Sequence, residues 1–158
     1  MRKVVSNTTP LIALCSIGRF DLLHRLYNKI IIPKAVLEEV KSEPAKTLIN
    51  NSDWICVEEV SDISQKRMYR ARLHSGEVEV MILAQEIAAD LVLMDDNAAK
   101  KMAKYLGLTV TGTIGVLLRA KKEGYIDSIK DALYDLKTTG FFVGDDLINY
   151  VLESSGEQ

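Results

Sequence analysis

Cysteine and histidine are scarce: the 158 residues contain two of each. Cys15 and Cys56 stand far apart with no CxxC or Cys/His spacing, so neither a zinc site nor a disulfide framework is indicated. Both thiols lie in apolar surroundings and read as buried and inert. His24 and His74 are too isolated to form a nucleophile system with a serine or cysteine. No stretch approaches the roughly 20 apolar residues a membrane helix needs, and the run MRKVVSNTTP breaks off too early for a signal peptide. The expectation is a cytoplasmic protein with no membrane segment. An excess of positive charge is missing too. A net charge of −2 and a pI near 5.7 argue against a broadly basic nucleic-acid binder, although a local basic patch suffices for phosphate contacts.

What is present suits one globular domain with a substantial core, at 47% hydrophobic and 27% charged residues. There is no linker, low-complexity segment or internal repeat. Strands are expected at Lys3–Ser6, Lys29–Ile32, Trp54–Val57, Leu91–Met94 and Leu108–Val110. Helices are expected from Pro10, with Thr9 as N-cap, to Cys15, and over Arg19–Tyr27, Pro33–Val40, Glu43–Asn51 and Ser61–Leu73. Further helices are expected over Glu77–Ala89, Asn97–Leu106, Thr113–Glu123, Asp127–Lys137 and Asp145–Glu153. Short apolar strands alternating with helices imply a parallel sheet covered on both faces.

Several polar residues fall at element ends that such a sheet gathers on one edge, where ligands bind in open α/β folds. Residues 91–97, LVLMDDN, end an apolar run in two adjacent carboxylates. Asn7 follows the first strand, Glu38 and Glu39 lie in the helix after the second, and Glu77 and Glu79 open a strongly apolar helix. A carboxylate on such a helix is costly to desolvate unless it meets a cation or stays near solvent. Positions two apart diverge on a helix, so one of Glu77 and Glu79 should face the site and the other support it or lie exposed. Each acid alone has a plain structural explanation, such as Glu77 stabilising a first turn or Asp96 capping a helix. Together they point to a metal site with hard oxygen donors.

These segments resemble the PIN-domain ribonucleases, in particular the toxin branch of toxin–antitoxin pairs. The resemblance spans nearly the whole chain through VVSNTTPLIAL (4–14), PKAVLEEV (33–40), SGEVEVMILA (75–84), LVLMDDNAAKKMAKYLGL (91–108) and TGTIGVLLRAKKEG (111–124). It implies a three-layer α/β/α sandwich, with a short parallel sheet of about five strands and an acidic pocket that holds Mg²⁺ or Mn²⁺ and hydrolyses RNA. The four acids of the resemblance fall on Asn7, Glu39 (or Glu38), Glu77 (or Glu79) and Asp95, with Asp96 adjacent. The hydroxyl that follows the first acid falls on Thr9, and Thr113 is placed in the same pocket. Asn7 departs from the usual aspartate. An amide oxygen still coordinates a hard cation but brings no charge, which weakens metal binding or removes catalysis.

Residues 65–72, QKRMYRAR, offer the best basic face for RNA, with Arg67 and Arg70 on one helix face and Tyr69 available for stacking. Lys100, Lys101 and Lys104 form a second cluster. The resemblance also implies a cognate antitoxin and a homodimer, with the apolar helices of about 127–155 as cap or dimer surface. Two other readings compete. A phospho-receiver is disfavoured because its paired acids belong on the first strand, which here ends in Asn7. A catalytically weak module of the same fold, binding RNA or a protein partner, is the stronger alternative.

Overall fold

A computed structural model describes residues 2–61 and 75–157. The expected helix over Ser61–Leu73 therefore lies almost wholly outside the described residues, and with it Arg67, Arg70 and His74. Five short strands form one sheet: β1 (Val4–Ser6), β2 (Ile30–Pro33), β3 (Ile55–Glu58), β4 (Leu91–Leu93) and β5 (Val110–Thr111). Their order is β3-β2-β1-β4-β5, with every pairing parallel. Every residue of β1, β2 and β4 is buried. Successive side chains point to opposite faces, so both faces of the central sheet are covered. Val4, Ile30, Ile32, Val92 and Leu93 have no exposed surface at all. Burial of a large apolar side chain stabilises a fold by roughly 1.5–3 kcal/mol.

The helices are α1 (Thr8–Ser16), α2 (Asp21–Tyr27), α3 (Lys34–Glu39), α4 (Ala45–Asn51), α5 (Ser75–Glu86), α6 (Asn97–Tyr105), α7 (Thr113–Lys122), α8 (Ile129–Thr138) and α9 (Asp145–Ser155). This is the expected α/β architecture with a parallel sheet of five strands. Several boundaries differ: β2 runs on through Pro33, β5 is Val110–Thr111 rather than Leu108–Val110, and α5 is Ser75–Glu86 rather than Glu77–Ala89. The N-cap of α1 is Asn7, in extended conformation, rather than Thr9. Pro10 occupies the third helical position, where its missing N–H is one of those left unpaired in any first turn. The helix therefore begins directly at the end of β1 and leaves Asn7 at the sheet edge. The Cys15 thiol is buried as expected, and burial pushes it up to about 12. Cys56 is only half-buried, because the edge strand β3 turns one face outward.

Near the C-terminus, Glu157 closes the start of α8. It accepts hydrogen bonds from the Ile129 and Lys130 backbone N–H groups at 2.7 and 3.3 Å and from the Ser128 hydroxyl at 3.0 Å. It also pairs with Lys121 at 3.3 Å. Burial pulls this carboxyl upward, but the four donors outweigh it and hold it at about 2, against 4.5 for an ordinary glutamate. A carboxyl lowered on folding contributes stability that is complete above the unfolded value and lost as pH falls through the folded one. Glu157→Gln is thus expected to lower the urea midpoint at pH 7. Its difference from the parent should shrink between about pH 4.5 and 2. A pH-independent difference would show that the charge is not what matters.

Candidate functional site

β1 and β4 flank the point at which the strand order reverses, where open α/β sheets form their ligand crevice. Ser6 lies opposite Leu93, and the Asn7 N–H donates to the Leu93 carbonyl at 2.8 Å. Asn7 and Asp95 therefore leave adjacent strands side by side. Asn7 is 5% exposed, and its side chain makes no capping bond to α1. It lines a cavity of about 440 Å³ together with Thr8, Thr9, Glu39 and Glu77.

Glu39 is fixed there by two donors. Thr8 Oγ1 donates to its Oε2 at 2.6 Å, and the Gly76 N–H donates to its Oε1 at 2.8 Å. Gly76 is a requirement of this approach: a Cβ built on it would lie 2.6 Å from Glu39 Oε2. Glu38, one residue earlier, faces a separate cavity lined by Leu37, Val40 and Lys41. Glu39 is the register that reaches the sheet edge.

Glu77 and Glu79 separate as helix geometry demands. Glu77 is half-buried and lines the cavity. Glu79 is 7% exposed and accepts from the Ala35 N–H at 3.2 Å, in the first turn of α3. α3 and α5 are thus linked reciprocally: the last residue of α3 receives an N–H from the start of α5, and a carboxylate of α5 receives one from the start of α3. Carboxylates are favourable at such helix starts because unpaired N–H groups and the helix dipole both meet a negative charge.

Asp95 lines a larger cavity of about 730 Å³ that also includes Thr9 and Glu77. Both its oxygens are held by Thr113, from the backbone N–H at 2.8 Å and the hydroxyl at 2.6 Å. Thr113 was expected to meet substrate, but it has no exposed surface and lines neither cavity. Its part is to aim Asp95. Gly112 gives Asp95 room, since a Cβ there would lie 2.7 Å from Asp95 Oδ1 and 3.0 Å from Lys100 Nζ. Asp96 is the N-cap of α6 and accepts from the Ala99 N–H at 2.9 Å.

Of the residues read as site candidates, Asn7, Thr9, Glu39 and Glu77 share one cavity, and Asp95 joins them across Thr9 and Glu77. Glu79 and Asp96 are engaged at helix starts. Among the described residues, no three acidic, histidine or cysteine side chains stand close enough to hold a metal ion by themselves. Thr8, Gly76 and Gly112 were missed by sequence reasoning. The glycines carried a readable sign: each immediately precedes a residue of the polar set, where a missing Cβ admits a carboxylate.

No match was found among curated proteins or among solved structures. A family model described as a PIN domain matches residues 3–157, and the sheet order and sheet-edge polar residues fall within that span. The chain belongs to the PIN-domain family.

Proposed function

We propose that the chain is a metal-dependent endoribonuclease that hydrolyses RNA phosphodiester bonds, acting as the toxin of a toxin–antitoxin pair. The observation that carries this reading is the convergence of Asn7, Glu39 and Glu77 on one cavity beside Asp95. The donors are all oxygens, which suits Mg²⁺ or Mn²⁺. Magnesium is ordinarily held by one or two carboxylates plus water and substrate phosphate rather than by an all-protein cage. Two glutamates and an amide therefore fit it, even though no three acids stand together among the described residues. When bound, such an ion lowers the pKa of water and offsets charge growing on the phosphate. Glu39 and Glu77 would hold it, and Asn7 would add an uncharged oxygen. Asp95, aimed by Thr113, would face the attacking water, and Lys100 would meet a non-bridging phosphate oxygen. Water supplies the oxygen that bonds to phosphorus, and the displaced sugar oxygen takes up a proton as it leaves.

Cleavage of single-stranded RNA with Mg²⁺ or Mn²⁺, abolished by chelator, is the direct test. RNA left intact by both ions would remove the enzyme reading. The second reading, a module that binds RNA or protein without cutting, is favoured by the engagement of both Asp95 oxygens. Tight RNA binding without cleavage would establish it. Phe142, Leu147 and Tyr150 are exposed on or beside α9, and this face of the 127–155 cap is the proposed seat for an antitoxin and for a second copy.

Asn7→Asp tests the metal site without relying on turnover. A third carboxylate in a cavity that already holds Glu39 and Glu77 adds repulsion and desolvation when no cation is present. The variant should melt below the parent in chelator and gain more from Mg²⁺, because stabilisation by a bound ligand rises with the logarithm of its affinity. Equal Mg²⁺ shifts for the two proteins would count against the site.

A further inference from the structure

On the side of the sheet where β1 and β4 begin lies a cavity of about 640 Å³ that the acidic site does not use. Arg2, Arg119, Lys121 and Lys122 line it, with Tyr27 and Ser154. No acidic residue is among its lining residues, although the chain as a whole is slightly acidic. Two of its cations are matched at the rim: Arg119 pairs with Glu123 at 3.0 Å and Lys121 with Glu157 at 3.3 Å. Arg2 and Lys122 form no ion pair among the described residues. Burial raises the Tyr27 hydroxyl, and the charges of Arg119 and Arg2 pull it back down.

This cavity adjoins the larger one beside Asp95. Thr111, at the end of β5, and Gly115 and Leu118, on α7, line both. Gly115 lets α7 pack directly on the end of β5, because a Cβ there would collide with Thr111 Oγ1. Arg2 neighbours the start of β1, and Asp95 follows the end of β4. At about 3.3 Å per residue, the stretch from Leu91 to Asp95 covers roughly 13 Å. An RNA strand must extend over several nucleotides to occupy both places.

We propose that the Arg2–Arg119–Lys122 cavity binds phosphate groups of the RNA strand away from the scissile bond, with the strand lying along α7 between this cavity and Asp95. The proposal rests on the nuclease reading for its substrate. The positive charge that RNA requires, and that the net charge conceals, is gathered here.

Fluorescence anisotropy with a labelled uridine 12-mer, in chelator and over a series of KCl concentrations, tests it. Arg2→Gln with Lys122→Gln should reduce the magnitude of the salt slope by about 1.4, roughly 0.7 for each single-strand phosphate that the variant no longer neutralises. Lys122→Gln alone should reduce it by about 0.7, and it keeps the test intact if the double variant folds poorly. Lys137→Glu, on α8 away from the cavity, should leave the slope within about 0.2 of the parent. Unchanged slopes in folded Gln variants would overturn the proposal. So would a cavity that binds inorganic phosphate, fails to bind it in the variants, and leaves the 12-mer unaffected. Binding is read without metal. Absence of cleavage in the parent would therefore sink the nuclease reading alone, whereas unchanged slopes with intact cleavage would sink only the basic cavity.

Discussion

Asp95→Asn is expected to keep the fold and lose at least about a hundredfold of metal-dependent RNA cleavage, whereas Asp95→Ala should lose both activity and stability. The difference follows from Thr113. Its N–H and hydroxyl are buried and both spend their hydrogen bonds on Asp95. Alanine strands two buried polar groups, at about 1–3 kcal/mol each. Asparagine still offers an oxygen to the N–H, and the threonine hydroxyl can turn to accept from the new amide. What asparagine removes is the charge that faces water and metal, an electrostatic contribution of several kcal/mol where a metal assists hydrolysis, with about 1.4 kcal/mol per factor of ten. Steady-state cleavage and urea unfolding of both variants check this. Full activity in folded Asp95→Asn would exclude Asp95 from the chemistry.

The second large effect is expected from the smallest change. Gly76→Ala places a methyl group 2.6 Å from Glu39 Oε2, and the carboxylate has to leave its position between Thr8 and α5. Alanine is favoured over glycine within a helix by up to about 1 kcal/mol. That gain opposes the loss of the Glu39 hydrogen bond, worth about 1.5–3 kcal/mol for a charged acceptor and less at an exposed one. Stability should therefore change by no more than about 1 kcal/mol, while cleavage falls roughly 10- to 100-fold, as when the hydrogen bond supporting a metal ligand is removed. Thermal melting and cleavage rates measured on one preparation separate the two. A melt shifted far downward with normal activity per folded molecule would mean that Glu39 serves the fold and not the site.

The sheet was legible because each strand is a short apolar run that soon meets a polar or turn-forming residue, and these runs alternate with helical segments. The split between Glu77 and Glu79 followed from helix periodicity alone, whereas Asp96 stayed open between a cap and a metal-site residue until the structure showed it capping α6. Thr113 was misjudged because a hydroxyl at a helix start looks the same in sequence whether it faces solvent or a neighbouring carboxylate. The start of α1 falls two residues before the expected position because Pro10 marks a first turn without saying which position of the turn it fills. The basic cavity was illegible for a different reason. Arg2 and Lys122 are brought together only by tertiary packing, and no local spacing announces them.

The exchange of carboxylates between α3 and α5 constrains how this site could change over generations of substitution. Glu39 serves the pocket and the start of α5; Glu79 serves the start of α3, the helix that carries Glu39. A replacement at Glu79 leaves the Ala35 N–H unanswered and loosens the helix on which a pocket residue stands, even though Glu79 lines no cavity itself. Retuning the pocket through either helix alone therefore disturbs its neighbour. Drift toward a different ion or substrate would have to move both helices together, or begin instead at Asn7, whose side chain takes no part in that exchange.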